Sequence, residues 1–132
     1  MLSNAKISAV VPVTDLGRAR DFYEGVLGLS VWREDQERGT VLYHGAGTYL
    51  LIYVRQTASS GEHTIVAFEI EGDADAVLDG LIEQGITFDT FEIPGVEMQW
   101  DDRGVLKDGA MVAAWFKDPD GNVINVGQGT LT

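Results

Sequence analysis

The chain has 132 residues, 45% of them hydrophobic, with no cysteine and a formal net charge of −12. This suits one compact domain with a real core and excludes disulfides, thiolate nucleophiles and cysteine metal sites. No run approaches the roughly 18 apolar residues of a membrane span, Met1–Lys6 lacks a leader pattern, and nine basic residues scattered through an acidic chain cannot form a nucleic-acid or anionic-membrane footprint. A cytoplasmic protein with no nucleic-acid or membrane partner is therefore expected, its negative charge spread along the chain and serving solubility.

Lys6 to Thr14 holds Ile7, Ala9, Val10, Val11 and Val13, a β-branched run that predicts a strand buried on both faces. Asp15 is a helix N-cap, and Leu16, Ala19, Tyr23, Val26 and Leu27 share one helical face behind it. Gly28 fits the left-handed residue that ends such a helix. Extended segments follow at about 30–35, 39–44 and 48–55, the last two joined by Gly45-Ala46-Gly47. Thr57 to Glu62, with Ser59-Ser60-Gly61, reads as a linker.

A second strand-like run, Thr64 to Glu71, precedes Asp73 as N-cap and a helix with Ala74, Val77, Leu78, Leu81 and Ile82 on one face. Gln84-Gly85 closes that helix, and 86–91, 110–117 and 122–127 read as strands. In the Asp118-Pro119-Asp120-Gly121 turn, proline presets one dihedral and glycine takes the positive one. Gly25 and Gly80 interrupt the two helices at roughly 1 kcal/mol each against alanine, for which close approach of helix to sheet is the expected reason.

The second half thus repeats the plan of the first. Gly28 and Gly85 lie 57 residues apart, and Asp15 and Asp73 lie 58 apart. A repeat of this length suggests one supersecondary unit used twice, each copy needing the other to bury its sheet face. The boundaries are a single 1–132 domain with modules at about 5–56 and 63–128. The hairpin glycines Gly47 and Gly121 are 74 apart, so the second module carries about 17 extra residues. They fall between Phe91 and Asp108 and include Pro94, Met98, Trp100, Asp101, Asp102 and Arg103. Such a loop is either functional or an extended hairpin that covers a core edge.

The run from Asp15 to Leu29, DLGRARDFYEGVLGL, resembles the first-helix signature of the vicinal oxygen chelate superfamily, which holds glyoxalase I, bleomycin-resistance proteins and extradiol dioxygenases. Trp115 to Asn122, WFKDPDGN, is similar to its closing hairpin. The resemblance spans nearly the whole chain. It implies an α+β fold of two βαβββ modules whose strands form an open, barrel-like mixed sheet cup, and a homodimer. This fold hosts lyases, isomerases, oxygenases and binders, so it leaves function open.

The resemblance also places the metal ligands of metal-using members. Ser8 stands where histidine is usual, Ile65 at a second histidine position and Asn125 where glutamate is usual; the fourth position falls near Leu51 or Tyr53. A divalent ion needs three or four imidazole or carboxylate donors converging on one point. Ser8 and Asn125 offer only neutral oxygens and Ile65 offers nothing, so no metal and no cofactor is expected. His63 and Glu69, read as sharing a strand face with Ile65, lie too far apart along it to hold one ion.

His44, at a hairpin, is expected to be solvated. His63 either caps its strand or, if it lines the cup, is the candidate general base near neutral pH. Trp32, Tyr53, Trp100 and Trp115 fall on strands or the long loop bordering the cup, as core residues or as the walls of an apolar ligand site. The ligand-binding set is Ser8, Trp32, Tyr53, His63, Ile65, Met98, Trp100, Trp115 and Asn125.

Three functions compete. One is a bleomycin-resistance-like protein that binds a small, partly aromatic molecule without a metal. Another is a superfamily enzyme (a glyoxalase-like lyase, an isomerase or a dioxygenase), metal-free if His63 is its base. The last is a dimeric accessory domain whose cup its own side chains fill.

Overall fold

The computed structural model describes residues 1–58 and 60–129; Ser59 of the expected linker lies outside the described residues. The chain divides into two compact units. One joins Met1–Gly61 to Asp118–Asn122, and the other joins Glu62–Lys117 to the described residues from Val123 onward. Each holds an open four-stranded mixed sheet, so the α+β class and the two βαβββ modules are as the sequence predicts.

In the first unit β1 (Ser8–Val13) leads to α1 (Leu16–Arg20), which continues as a π-helix over Asp21–Val26. Strands β2 (Ser30–Asp35), β3 (Thr40–Gly45) and β4 (Thr48–Val54) follow, and the sheet order is β1-β4-β3-β2 with β1 parallel to β4. Val11, Val13, Val41, Tyr43, Leu50 and Ile52 bury one sheet face, together with Ala19, Phe22 and Tyr23 of the helix. β1 is not buried on both faces: Val11 and Val13 are sealed, whereas Ser8 and Val10 on the other face are exposed, Val10 by 52%. The helix covers one side, and among the described residues no element of this unit covers the other.

The π-helix explains the repeat's one-residue mismatch. Thirteen positions separate Asp15 from Gly28, against twelve from Asp73 to Gly85. The extra residue is absorbed by widening the last turn, in which the Leu27 N–H reaches the carbonyl of Phe22, five residues back. The wider turn brings both Phe22 and Tyr23 into the core, while Leu16, Val26 and Leu27 stay half-buried. Gly25 and Gly80 serve no close approach, because a Cβ at either would meet open space.

Asp118 is the polar centre of this unit. It is 5% exposed, and it accepts hydrogen bonds from the Tyr23 hydroxyl (2.7 Å), the Asn122 amide (2.7 Å) and the backbone N–H groups of Asp120 and Asn122 (2.9 Å each). Asn122 also donates to the Pro12 carbonyl at 2.8 Å. Thr14 donates twice to Asp120, which also pairs with Arg18. Burial, with Asp118 alongside, pushes the Tyr23 hydroxyl far above its usual range.

In the second unit β5 (Thr64–Glu69), α2 (Ala74–Glu83), β6 (Leu106–Asp108), β7 (Met111–Lys117) and β8 (Val123–Gln128) form a sheet in the order β5-β8-β7-β6. Asp73 caps α2 through the Ala76 N–H. The helix is short and its apolar stripe narrow: Ala74 and Leu78 are buried, while Val77 and Ile82 are exposed by 40% and 38%. Residues 86–91 do not form a strand. They touch the sheet through one bridge, Asp89 to Trp115, because β6 occupies the edge of β7 from Met111 to Ala113. The edge strand therefore lies inside the extra segment, whose end folds back as a short hairpin: Trp100 bridges Leu106, and the Lys107 N–H donates to the Gln99 carbonyl at 3.1 Å.

Arg103 ties that segment to α2. Its guanidinium donates to Asp101 (3.0 and 2.8 Å), Asp79 (2.9 Å) and Asp75 (2.7 Å). Burial pushes the Asp101 carboxyl up, but hydrogen bonds from Arg103 and the Val105 N–H outweigh it and hold the group below the usual range. Asp75 is lowered by its hydrogen bond to Arg103 and by the charge of Lys107. Val105 and Leu106 behind this clamp are buried. Among the described residues no helix is long and apolar enough to cross a membrane.

Removing the Asp118 carboxylate strands buried donors, so Asp118→Ala is expected to cost about 3 kcal/mol and Tyr23→Phe about 1 kcal/mol. Urea denaturation reads both as lower midpoints at an unchanged slope; equal, near-zero shifts would contradict the role given to Asp118.

Candidate functional site

Strand alternation gives each sheet a sealed face and a face with partly exposed side chains. On the second sheet the sealed face carries Ala114, Phe116, Ile124 and Val126, with the Phe88 ring 6.2 Å from that of Phe116. The other face carries Trp115, with Asn125 directly opposite it on β8 and Ala67 opposite Asn125 on β5. Gly127 lies one step along, where a Cβ would sit 2.5 Å from the Val112 carbonyl oxygen. Ala67, Ala113 and Gly127 therefore leave a low floor.

Three rings stand over that floor. Phe91 meets Trp115 at 4.9 Å and Trp100 at 5.3 Å, and Trp100 meets Trp115 at 6.0 Å, all edge-on. Phe91 is 37% exposed, and both tryptophans are part-exposed. Asp89, the bridge partner of Trp115, leaves the backbone on the same side, as does Phe91 two residues on. The Asn125 amide donates to the Ala114 carbonyl at 3.2 Å, which leaves its side-chain oxygen as an acceptor on this face.

The surroundings are acidic. The second unit holds thirteen Asp and Glu against three Lys and Arg, whereas the first holds eight against six. The charge is thus localised, contrary to the sequence expectation of a spread, because the acids of α2 and the extra segment fall in one unit. Of the second unit's acids, Asp89 is the bridge partner of Trp115, while Asp75, Asp79 and Asp101 are paired with Arg103.

The first sheet gathers a second aromatic group. A register shift between Val31 and Arg33 makes Trp32 a bulge residue, 56% exposed, with its ring 5.2 Å from His44 and 6.1 Å from Tyr49. His44 is exposed, as expected, but its ring packs edge-on against Trp32. Ser8 pairs in register with Tyr49, and Tyr53 pairs with Pro12 and Thr40. A shallow depression lies on the helix of this unit, lined by Gly17, Arg20, Asp21, Glu24 and Gly25. Its guanidinium is already committed to Glu24 and Glu34 at 2.7 Å each, and Tyr43 also bonds Glu24, so the depression offers a ligand little.

The sequence set is thus divided. Trp100, Trp115 and Asn125 come together on one face, and Ser8, Trp32 and Tyr53 lie on the first sheet. Met98 is half-buried in the extra segment, and His63 is exposed ahead of β5. A register shift between Thr64 and Val66 places Ile65 in a bulge, so the expected shared face of His63, Ile65 and Glu69 does not hold. Glu69 accepts from the Gly129 N–H at 2.8 Å. Phe91 and Asp89 were missed by sequence reasoning; their two-residue spacing to one side was the available signal.

The donor set does not fit a divalent ion. Ser8 is an exposed hydroxyl, Ile65 is apolar and the Asn125 amide is bonded to backbone. Among the described residues no three His, Asp or Glu side chains gather as a metal ion needs.

Residues 7–126 match the model of the Glyoxalase/Bleomycin resistance protein/Dioxygenase superfamily. The chain matches no curated protein. A putative glyoxalase family protein from Bacillus anthracis is similar at 20% identity, with 98% of this chain and 100% of that one covered and a TM-score of 0.69. TnmS3, an antibiotic binding protein from Streptomyces sp. CB03234, is similar at 25% identity, 96% and 98% coverage and a TM-score of 0.67. A lactoylglutathione lyase from Agrobacterium tumefaciens shares the fold at 18% identity, 97% and 96% coverage and a TM-score of 0.66. Two βαβββ modules and a family match over nearly their whole length place the chain in the Glyoxalase/Bleomycin resistance protein/Dioxygenase superfamily.

Proposed function

We propose that this protein binds a small organic molecule without a metal, and that the molecule has a flat apolar part and a positive charge. The carrying observation is the corner of Phe91, Trp100 and Trp115 beside Asn125, set in a unit with thirteen acidic and three basic residues. Ring faces and edges suit a planar partner, and carboxylates such as Asp89 supply the counter-charge. Sequestration needs neither an acid–base pair nor a chelated ion, in keeping with the residues at the usual ligand positions. The likeness to an antibiotic binding protein supports the same class of function. The lyase likeness supports only the fold, and an enzyme reading needs donors these positions lack. A second copy of the chain belongs to this proposal, because Val10 and Trp32 are exposed apolar residues on the first sheet.

Aromatic cations (phenanthridinium, acridinium and anthracycline compounds) are expected to raise the melting temperature and quench tryptophan emission. Aromatic anions of equal size are not, and Trp115→Ala is expected to weaken the best cation at least about tenfold, on the order of 1.4 kcal/mol. No response from any cation, or an equal response from anions, would sink the reading.

Chelator treatment is expected to leave both that affinity and the melting temperature unchanged; stoichiometric zinc, nickel, manganese or iron in protein purified without chelator would instead favour the enzyme. Sedimentation equilibrium is expected to give twice the mass of one 14.3 kDa chain, and a single-chain mass would refute the homodimer.

A further inference from the structure

We propose that Arg103 is the positioning residue of the aromatic corner: by holding Asp101 against Asp75 and Asp79 of α2 it fixes Trp100, the ring that completes the cluster. The inference rests on the corner being the binding site, but its test reads the rings themselves.

Trp100 is bridged to Leu106, and the Lys107 N–H donates to the Gln99 carbonyl at 3.1 Å, so its backbone is held to β6; upstream of Gln99 the chain offers it little. Residues 91–97 and Gln99 are exposed, and Met98 is only half-buried. Order arrives from the other side. The Asp101 carboxylate accepts from the N–H groups of Arg103 (2.9 Å) and Val105 (3.0 Å), and the Asp101 N–H returns to the Val105 carbonyl at 2.8 Å. Gly104 takes a φ of +86°, and a Cβ there would sit 3.2 Å from the Phe88 carbonyl oxygen, so this turn lies hard against the backbone that leads to Asp89 and Phe91. Arg103 then joins the turn to α2 through Asp75 and Asp79.

Those two aspartates are one helical turn apart and repel each other unless a cation lies between them. A planar guanidinium can serve three carboxylates at once; Lys107, 3.6 Å from Asp75, supplies a point charge to one of them. Without Arg103, the buried residues Val105 and Leu106 still hold the edge strand β6, so the sheet survives. What is lost is the tie to α2 that sets the tilt of the bridged pair Trp100 and Leu106, and with it the angle of the Trp100 ring. At 6.0 Å the two indoles couple electronically, and that coupling reports their mutual angle.

Far-ultraviolet circular dichroism reads this coupling as an exciton couplet, which Trp100→Phe abolishes and so identifies. Arg103→Ala and the Asp75→Asn/Asp79→Asn double variant are each expected to lose most of the couplet while keeping cooperative melting, with Arg103→Lys between them and the wild type. The couplet at full strength in both variants would overturn the proposal. Should Arg103→Ala fail to fold, the double variant decides alone: it keeps Arg103 paired with Asp101 and removes only the tie to α2. If aromatic cations never bind but the couplet still collapses, the binding-site reading fails and the positioning role stands.

Discussion

A buried carboxylate must have its acceptor sites filled by protein donors, or folding loses more than the charge contributes. Asp118 meets that demand with two side-chain and two backbone donors, and the first unit is arranged to supply them. The donors come from two stretches far apart in sequence, Tyr23 on the π-helix and Asp120 and Asn122 in the closing turn, and the Asn122 amide also donates to the Pro12 carbonyl on β1. Each of these placements constrains something else. Tyr23 reaches Asp118 from the widened turn, and its ring stacks 6.1 Å from that of Tyr43. Tyr43 in turn donates to Glu24, whose carboxylate is held below the usual range by Arg20. One buried charge thus organises a chain of polar contacts that runs from the core to the surface.

The two insertions that separate the modules are handled by different physics. A single extra residue in a helix can be absorbed within the backbone, at the expense of one wider turn. Seventeen extra residues cannot, and the segment takes its own strand and its own ion clamp. This sets what was legible. Caps, stop glycines, hairpins and most strands follow from local chemistry and were readable in order. The π-turn was present as a spacing of 58 against 57, but a difference of one residue carries meaning only once the helix is seen. The edge strand β6 was not readable, because Leu106-Lys107-Asp108 is short, charged and bounded by glycines. Residues 86–91 alternate well enough to look like a strand. Which segment pairs with β7 is a competition between two distant stretches, and no local pattern records the winner.

For the candidate site, residue type was legible and parity was not. Trp100, Trp115 and Asn125 could be picked out by chemistry alone. Bulges at Ile65 and Trp32 then moved two expected site residues off the parity that simple alternation assigns them. Phe91 and Asp89 escaped notice because they were read as strand ends, whereas they flank a single bridge. Charge was misjudged for a related reason: composition counts acids along a chain, but a ligand meets them on a surface, and thirteen of them fall in one unit.

An aromatic wall gains affinity only if its rings are held before the ligand arrives, since ordering a side chain on binding costs roughly 0.5–1.5 kcal/mol. Phe91 and Trp115 are fixed near the bridge to β7, the latter in the middle of a strand. Trp100 is bridged only to Leu106 of the short edge strand, whose turn Arg103 ties to α2. Spending one guanidinium on three carboxylates outside the corner is therefore intelligible as preorganisation. The same arrangement removes the one arginine of that segment from competing with a cationic ligand for the remaining acids. Positioning and charge are thus separable at Arg103: a chain without it would lose the hold on Trp100 while freeing Asp75, Asp79 and Asp101 to add negative charge.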